Sequence, residues 1–118
     1  MLNDFNNHFK FIVKSGITFN NAKYVHPLMQ EAVQSMLCEL SSSKIIQRVV
    51  IFGSAVDFRC NQFSDLDVYL DLDVQEEHFP KFSKDWGVEV DLVYRISKES
   101  LLYQEIMRTG IIVWERTV

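Results

Sequence analysis

Along much of this chain apolar residues recur either at every second position or at the three-to-four spacing of a helix, so the pattern by itself lays out the elements. Residues 45–52 are nearly continuous in apolar side chains after Gln47-Arg48, as expected of a strand covered on both faces. Residues 65–72 alternate strictly. Successive strand side chains point to opposite faces, so Asp65, Asp67, Tyr69 and Asp71 share one face while Leu66, Val68 and Leu70 enter the other. Residues 88–95 repeat the pattern with Glu89 and Asp91 set against apolar neighbours, and residues 111–114 predict a short closing strand. Leu28, Ala32, Met36 and Leu40, with Val33 and Leu37 beside them, predict a helix that opens at Pro27 and stops at Ser41-Ser42-Ser43. Leu101, Leu102, Glu105 and Ile106 predict a second helix, with Ser97 as N-cap, Glu99 in the first turn and Gly110 as its stop. Phe5, His8, Phe9 and Ile12 predict a short amphipathic helix over residues 3–14. Residues 74–84 read as a short connection, helical or not, ending at the turn signal Asp85-Trp86-Gly87. The sum is an α/β or α+β domain built on a mixed sheet of three to four strands flanked by helices.

A length of 118 residues suits one domain with one core. The net charge of -4 argues against a general nucleic-acid binder, which would carry a basic face. More informative is where the acids lie, because Asp57, Asp65, Asp67, Asp71 and Asp73 crowd into one short stretch. Cys38 and Cys60 do not make a disulfide framework; Cys38 reads as a core residue of its helix and Cys60 as a partly exposed loop residue. No run approaches the ~20 apolar residues needed to span a bilayer, and residues 1–14 lack the apolar stretch of a secretory leader. A cytoplasmic protein with no membrane partner is the expectation.

Candidate chemistry sits where the first strand ends. Val49-Val50-Ile51-Phe52 runs into Gly53-Ser54, ten residues of loop follow, and the second strand opens with Asp65 and Asp67 on one face. Asp91 arrives from a further strand. Acids can simply line the wet face of a sheet, which is the plainer reading of Asp65 and Asp67 taken alone. Asp is depleted in strands, however, and like charges on neighbouring strands repel, so three together call for a cation. Hard oxygen ligands suit Mg²⁺, and carboxylates can bridge two such ions about 3.5–4 Å apart. Asp71 is already well removed from Asp65, since same-face strand residues lie about 6.5–7 Å apart, and Asp71 and Asp73 read as solvated strand-end residues. Gly53 lets the backbone approach a phosphate closely and Ser54 adds a hydroxyl, at what reads as a helix start. Ser64 either fixes the turn before Asp65 or contacts the nucleotide. Arg59 and Arg95 are candidate triphosphate contacts, while His8, His26 and His78 show no metal spacing and read as surface or packing residues.

Taken in order, Gly53-Ser54, Asp65-x-Asp67 and the isolated Asp91 resemble the signature of the nucleotidyltransferase superfamily related to DNA polymerase beta, especially its minimal single-domain members. The resemblance covers residues 44–115, including Glu105-Ile106-Met107-Arg108-Thr109-Gly110-Ile111-Ile112-Val113-Trp114, similar to the helix-Gly-strand ending of those proteins, and leaves residues 1–24 as an extension. It implies transfer of a nucleoside monophosphate, AMP from ATP foremost, with Asp65, Asp67 and Asp91 holding two Mg²⁺ ions. Asp91 would also accept the acceptor's proton, and Gly53, Ser54, Ser64 and Arg59 would contact the nucleotide. Minimal members commonly work beside a small helical partner of the HEPN type in toxin-antitoxin pairs, which implies a hydroxyl on a partner protein as acceptor.

This chain departs from the family pattern of Gly-Ser-x-Ala-Arg-Gly: Asp57 and Phe58 stand where arginine and glycine are expected, and Arg59 comes later. The chain also ends at Val118 with no second helical domain, so the acceptor is expected from another chain or from a homo-oligomer that completes the site. The alternative reading is a nucleotidyltransferase-fold module whose catalysis has faded and which acts by binding a partner protein or a nucleotide.

Overall fold

A strand buried on both faces needs cover from two sides, and the chain supplies one helix to each. The computed structural model describes residues 8–73 and 85–117. Among these, the elements are α1 (Pro27–Leu40), β1 (Ile46–Phe52), β2 (Leu66–Leu72), β3 (Val90–Tyr94), α2 (Leu101–Thr109) and β4 (Ile111–Glu115). The strands form one mixed sheet in the order β3-β2-β1-β4. β1 is antiparallel to β2 and β4, while β2 and β3 run parallel. The result is a small α+β protein. Residues 74–84, for which the sequence left helix or loop open, lie outside the described residues, as does His78.

The main core joins Val33, Met36 and Leu40 of α1 to Val49 and Ile51 of β1 and to Leu66, Val68 and Leu70 of β2. Each of these side chains, fully buried, contributes roughly 1.5–3 kcal/mol. On the opposite face a smaller cluster packs Val50 and Tyr69 against Ile106 of α2. The Tyr69 and Tyr103 rings meet edge to face with centroids 5.7 Å apart. Burial, with the Asp71 charge nearby, pushes the Tyr69 hydroxyl up to about 12, so it stays neutral.

The ends of the helices correct the sequence reading in two places. Ser100, not Ser97, caps α2, accepting from the Tyr103 N–H at 3.1 Å. The Ser97 hydroxyl accepts from the Glu99 N–H instead, so the serine heads a local turn one step earlier. Gly110 does end α2, but with φ of -76 it is not a left-handed stop. A Cβ there would stand 2.5 Å from the Ile106 carbonyl and from Val50 Cγ1, so glycine is required by close packing of α2 onto β1. The cysteines also exchange places: Cys38 is exposed and Cys60 buried. Cys38 lies just off the buried stripe of Val33, Met36, Leu37 and Leu40, whereas Cys60 tucks its loop into the main core.

The expected helix over residues 3–14 is not present in its described part, since residues 8–14 carry no helical structure. Their backbone polar groups are taken up by side chains of α1 instead. Gln30, fully buried, accepts from the Lys14 N–H at 2.8 Å and donates to the carbonyls of Ile12 and Val25 at 2.9 and 3.0 Å. One helical turn on, Gln34 accepts from the Thr18 N–H and donates to the Gly16 carbonyl. Two amides at helical spacing thus clamp a non-helical segment that turns at Gly16, through bonds that a helix would have kept to itself.

Because the Gln30 bonds are buried or part-buried and those of Gln34 are exposed, the two should differ in worth. Gln30→Leu is expected to cost about 2–3 kcal/mol, the penalty for leaving buried backbone groups unpaired. Gln34→Leu should cost less than about 1 kcal/mol. Urea melts of the two variants check this, and equal losses would refute burial as the deciding factor.

Candidate active site

Sheet register brings the predicted acids together. The last pair of the β1–β2 ladder sets Phe52 opposite Asp67, and the parallel β2–β3 ladder sets Asp67 opposite Asp91. Paired residues on adjacent strands, about 4.8 Å apart, present their side chains on the same face. Asp65, immediately before β2, shares that face by alternation. Asp65 and Asp91 are exposed and Asp67 is half-buried between them. Burial, then the Asp91 charge, then the Asp65 charge hold the Asp67 carboxyl above its ordinary value. Among the described residues none of the three acids has an ion-pair partner.

Gly53 is bound to this arrangement by sterics. Its φ of +73 is a left-handed conformation, and a Cβ added to it would stand 2.3 Å from Asp67 Oδ2. The carboxylate therefore lies directly over the glycine, and only a residue without a side chain permits both the turn and the approach. Beyond it the chain makes a single 3-10 turn, Gly53–Val56, not the α-helix that the sequence suggested. So short a turn supplies no helix dipole for an anion. It is firmly held, with Ala55 and Val56 buried and the Ala55 carbonyl accepting from the His26 N–H at 2.7 Å. His26 in turn caps α1, its Nδ1 accepting from the Leu28 N–H, and partial burial lowers its pKa.

Other candidates are placed less directly. Ser64 serves its own loop: its hydroxyl accepts from the Asn61 N–H at 3.0 Å and bonds the Cys60 thiol, which burial pushes up. Arg59 is engaged by Asp57, whose carboxylate takes both the guanidinium (Nε at 3.0 Å, Nη2 at 2.8 Å) and the Arg59 N–H. That contact holds the Asp57 carboxyl below the usual range. Arg95 follows β3 in a left-handed conformation with φ of 56. Asp71 lies opposite Arg48, two residues up β2 from Tyr69 and away from the Gly53 corner.

Gly53, Ser54 and Arg59 open into a cleft of about 580 Å³, a size that takes a small organic ligand. Its far wall is α2, with Glu105 and Arg108, and its side wall is the N-terminal segment, with His8 and Phe9. His8 Nε2 lies 3.1 Å from the Thr109 carbonyl, tying that segment to the end of α2. The N-terminal wall is what sequence reasoning missed. The available signal was the Gln30 and Gln34 pair on α1, polar residues one turn apart beside an apolar stripe.

Mg²⁺ takes one or two carboxylates and keeps several waters, so an open set of hard oxygens suits it better than a closed cage. Among the described residues no group of three or more His, Cys, Asp or Glu side chains stands close enough together to hold a metal ion, the three aspartates included. By donor chemistry Asp65, Asp67 and Asp91 fit the ion: all are carboxylates, the charges of Asp91 and Asp65 act on Asp67, and none of the three has an ion-pair partner among the described residues. No helix among the described residues is long and apolar enough to cross a membrane. No protein-family profile, curated protein or solved structure matches this chain.

A carboxyl whose pKa is higher folded than unfolded keeps its proton longer in the folded state. Without metal, Asp67 therefore makes stability fall as pH rises from the ordinary Asp value through the raised one. Asp67→Asn should abolish that fall and raise stability at pH 7 by about 0.2–1 kcal/mol for each like-charge pair relieved, read as a higher Tm in chelator. Mg²⁺ should raise the Tm of the wild-type protein and leave that of the variant unmoved. Gly53→Ala should destabilise by more than the ~1–2 kcal/mol of a left-handed alanine, and by less when Asp67→Ala is added.

Proposed function

We propose that this protein is a Mg²⁺-dependent nucleotidyltransferase that moves a nucleoside monophosphate, foremost AMP from ATP, to a hydroxyl of a partner protein. The observation that carries the reading is the half-buried Asp67, flanked by the charges of Asp65 and Asp91, with no ion-pair partner among the described residues, and seated against Gly53. A protein keeps so unfavourable a cluster for a ligand that relieves it. The resemblance of these same residues to minimal nucleotidyltransferases supports it, as does the cleft beginning at Gly53-Ser54.

In this reaction the acceptor oxygen attacks the α-phosphorus, the bond from that phosphorus to the bridging oxygen breaks, and pyrophosphate leaves. Asp91, exposed at the edge of the trio, takes the hydroxyl proton. Asp65 and Asp67, with Asp91 beside them, would hold the metal, which would supply charge neutralisation for the phosphate oxygens. Gly53 lets the Asp67 carboxylate close onto the turn, and Ser54, the next residue along the cleft, offers a hydroxyl to the triphosphate. A small helical HEPN-type partner as acceptor rests on the family resemblance alone.

One observation favours a second reading, a binding module with faded catalysis. Asp57 occupies the Arg59 guanidinium that a triphosphate would otherwise meet. Incubation with labelled ATP, Mg²⁺ and a HEPN-type partner separates the two. The enzyme reading expects label on the partner, lost with chelator and reduced at least about 100-fold by Asp65→Ala or Asp67→Ala. Partner binding that survives Asp65→Asn/Asp67→Asn, with no transfer by the wild-type chain, would establish the module instead.

A further inference from the structure

Phe9 is an aromatic ring left 44% exposed on the wall of the cleft that Gly53 and Ser54 open. Exposed apolar side chains are common on this chain, and what sets Phe9 apart is its place on the cleft wall. Its segment is fixed on both flanks, by His8 to the Thr109 carbonyl and by the Phe11 N–H to the Lys23 carbonyl at 2.6 Å. Phe58, 67% exposed, braces the ring edge to face, with centroids 5.0 Å apart and planes at 82°. An edge-on brace leaves a face of Phe9 open to a planar partner.

The charges around the cleft say which part of a nucleotide belongs there. Glu105 and Arg108 on α2 cancel one another at 2.7 Å, and Asp57 cancels Arg59 at 2.8 Å. Walls so neutralised suit an uncharged heterocycle and sugar, whereas the charged tail belongs at the acids beyond Gly53. We propose, building on the nucleotidyltransferase reading, that Phe9 is the stacking platform for the nucleobase of the bound nucleoside triphosphate and that Phe58 is a positioning residue which sets the ring. The N-terminal segment is then a substrate wall, held in place from α1 by Gln30. Stacking accepts any base, so this subsite adds affinity without choosing among bases.

Titration calorimetry of the full chain with Mg²⁺-ATP and with Mg²⁺-tripolyphosphate separates base from phosphate. ATP should bind about 5- to 150-fold more tightly than tripolyphosphate, the range that one stacking ring supplies. Phe9→Ala should erase that gap while leaving tripolyphosphate affinity unchanged, Phe9→Tyr should recover it, and Phe58→Ala should narrow it. If tripolyphosphate binds and ATP binds no more tightly, or if the gap survives Phe9→Ala, the stacking role is overturned and the phosphate site stands. If neither ligand binds, the nucleotidyltransferase reading falls and the platform falls with it.

Discussion

The register that pairs Phe52 with Asp67 is the constraint on which the rest of the site depends. It is the last rung of the β1–β2 ladder, so β1 must turn away at the very point where β2 presents its carboxylate. Gly53 makes that turn beneath the carboxylate because it has no Cβ to collide with it. On the other side of β2 the parallel ladder sets Asp91 level with the same residue. A slip of one residue would drive Asp65, Asp67 and Tyr69 into the core and bring Leu66, Val68 and Leu70 out to water. The buried face of β2, with Leu66, Val68 and Leu70 all fully enclosed, therefore enforces the position of acids that could not hold it themselves.

That division of labour explains how a small domain tolerates the cluster. The main core under α1 anchors β1 and β2 from one side, while the smaller Val50, Tyr69 and Ile106 cluster holds α2 on the side where the acids lie. Repulsion among three carboxylates amounts to roughly 0.2–1 kcal/mol per pair, small beside the roughly 1.5–3 kcal/mol of one buried core side chain. Both faces of the sheet contribute buried side chains, and the acids stand at the end of the less heavily packed one. In the proposed site a bound ligand, and not the fold, would satisfy the charged groups.

Much of the fold was legible because period-two and period-3.6 patterns survive wherever burial is one-sided. Residues 65–72 announced both the strand and its acidic face, and Pro27 with the stripe from Leu28 to Leu40 announced α1. The failures have physical causes. Phe5, His8, Phe9 and Ile12 fall at helical spacing, yet Gln30 and Gln34 satisfy the backbone of residues 12–18 from outside, and pattern alone is silent about a partner that far along the chain. Ser97 and Ser100 are both competent caps, and the choice between them falls to where α2 meets Tyr69. Gly110 was recognisable as a breaker, but its real cause, the nearness of Val50, is a tertiary contact. The acids of the site were legible from alternation, while its walls were not, since they come from segments remote in sequence.

Those walls bear on how the proposed reaction would be arranged in space. Gly53 stands between two regions of different character: the cleft lined by Phe9, Glu105 and Arg108 on one side, and the exposed carboxylates of Asp65 and Asp91 on the other. A nucleotide lying along that line would put its base and sugar among neutralised side chains and its phosphates over the acids. The α-phosphorus would then be presented at the exposed edge of the sheet, beside Asp91, where an acceptor hydroxyl can approach without entering the cleft. Such an open approach would suit a protein acceptor, whose bulk could stay outside the cleft. In that arrangement the exposed Asp91, rather than the half-buried Asp67, would stand nearer the incoming hydroxyl and could pass its proton on to water.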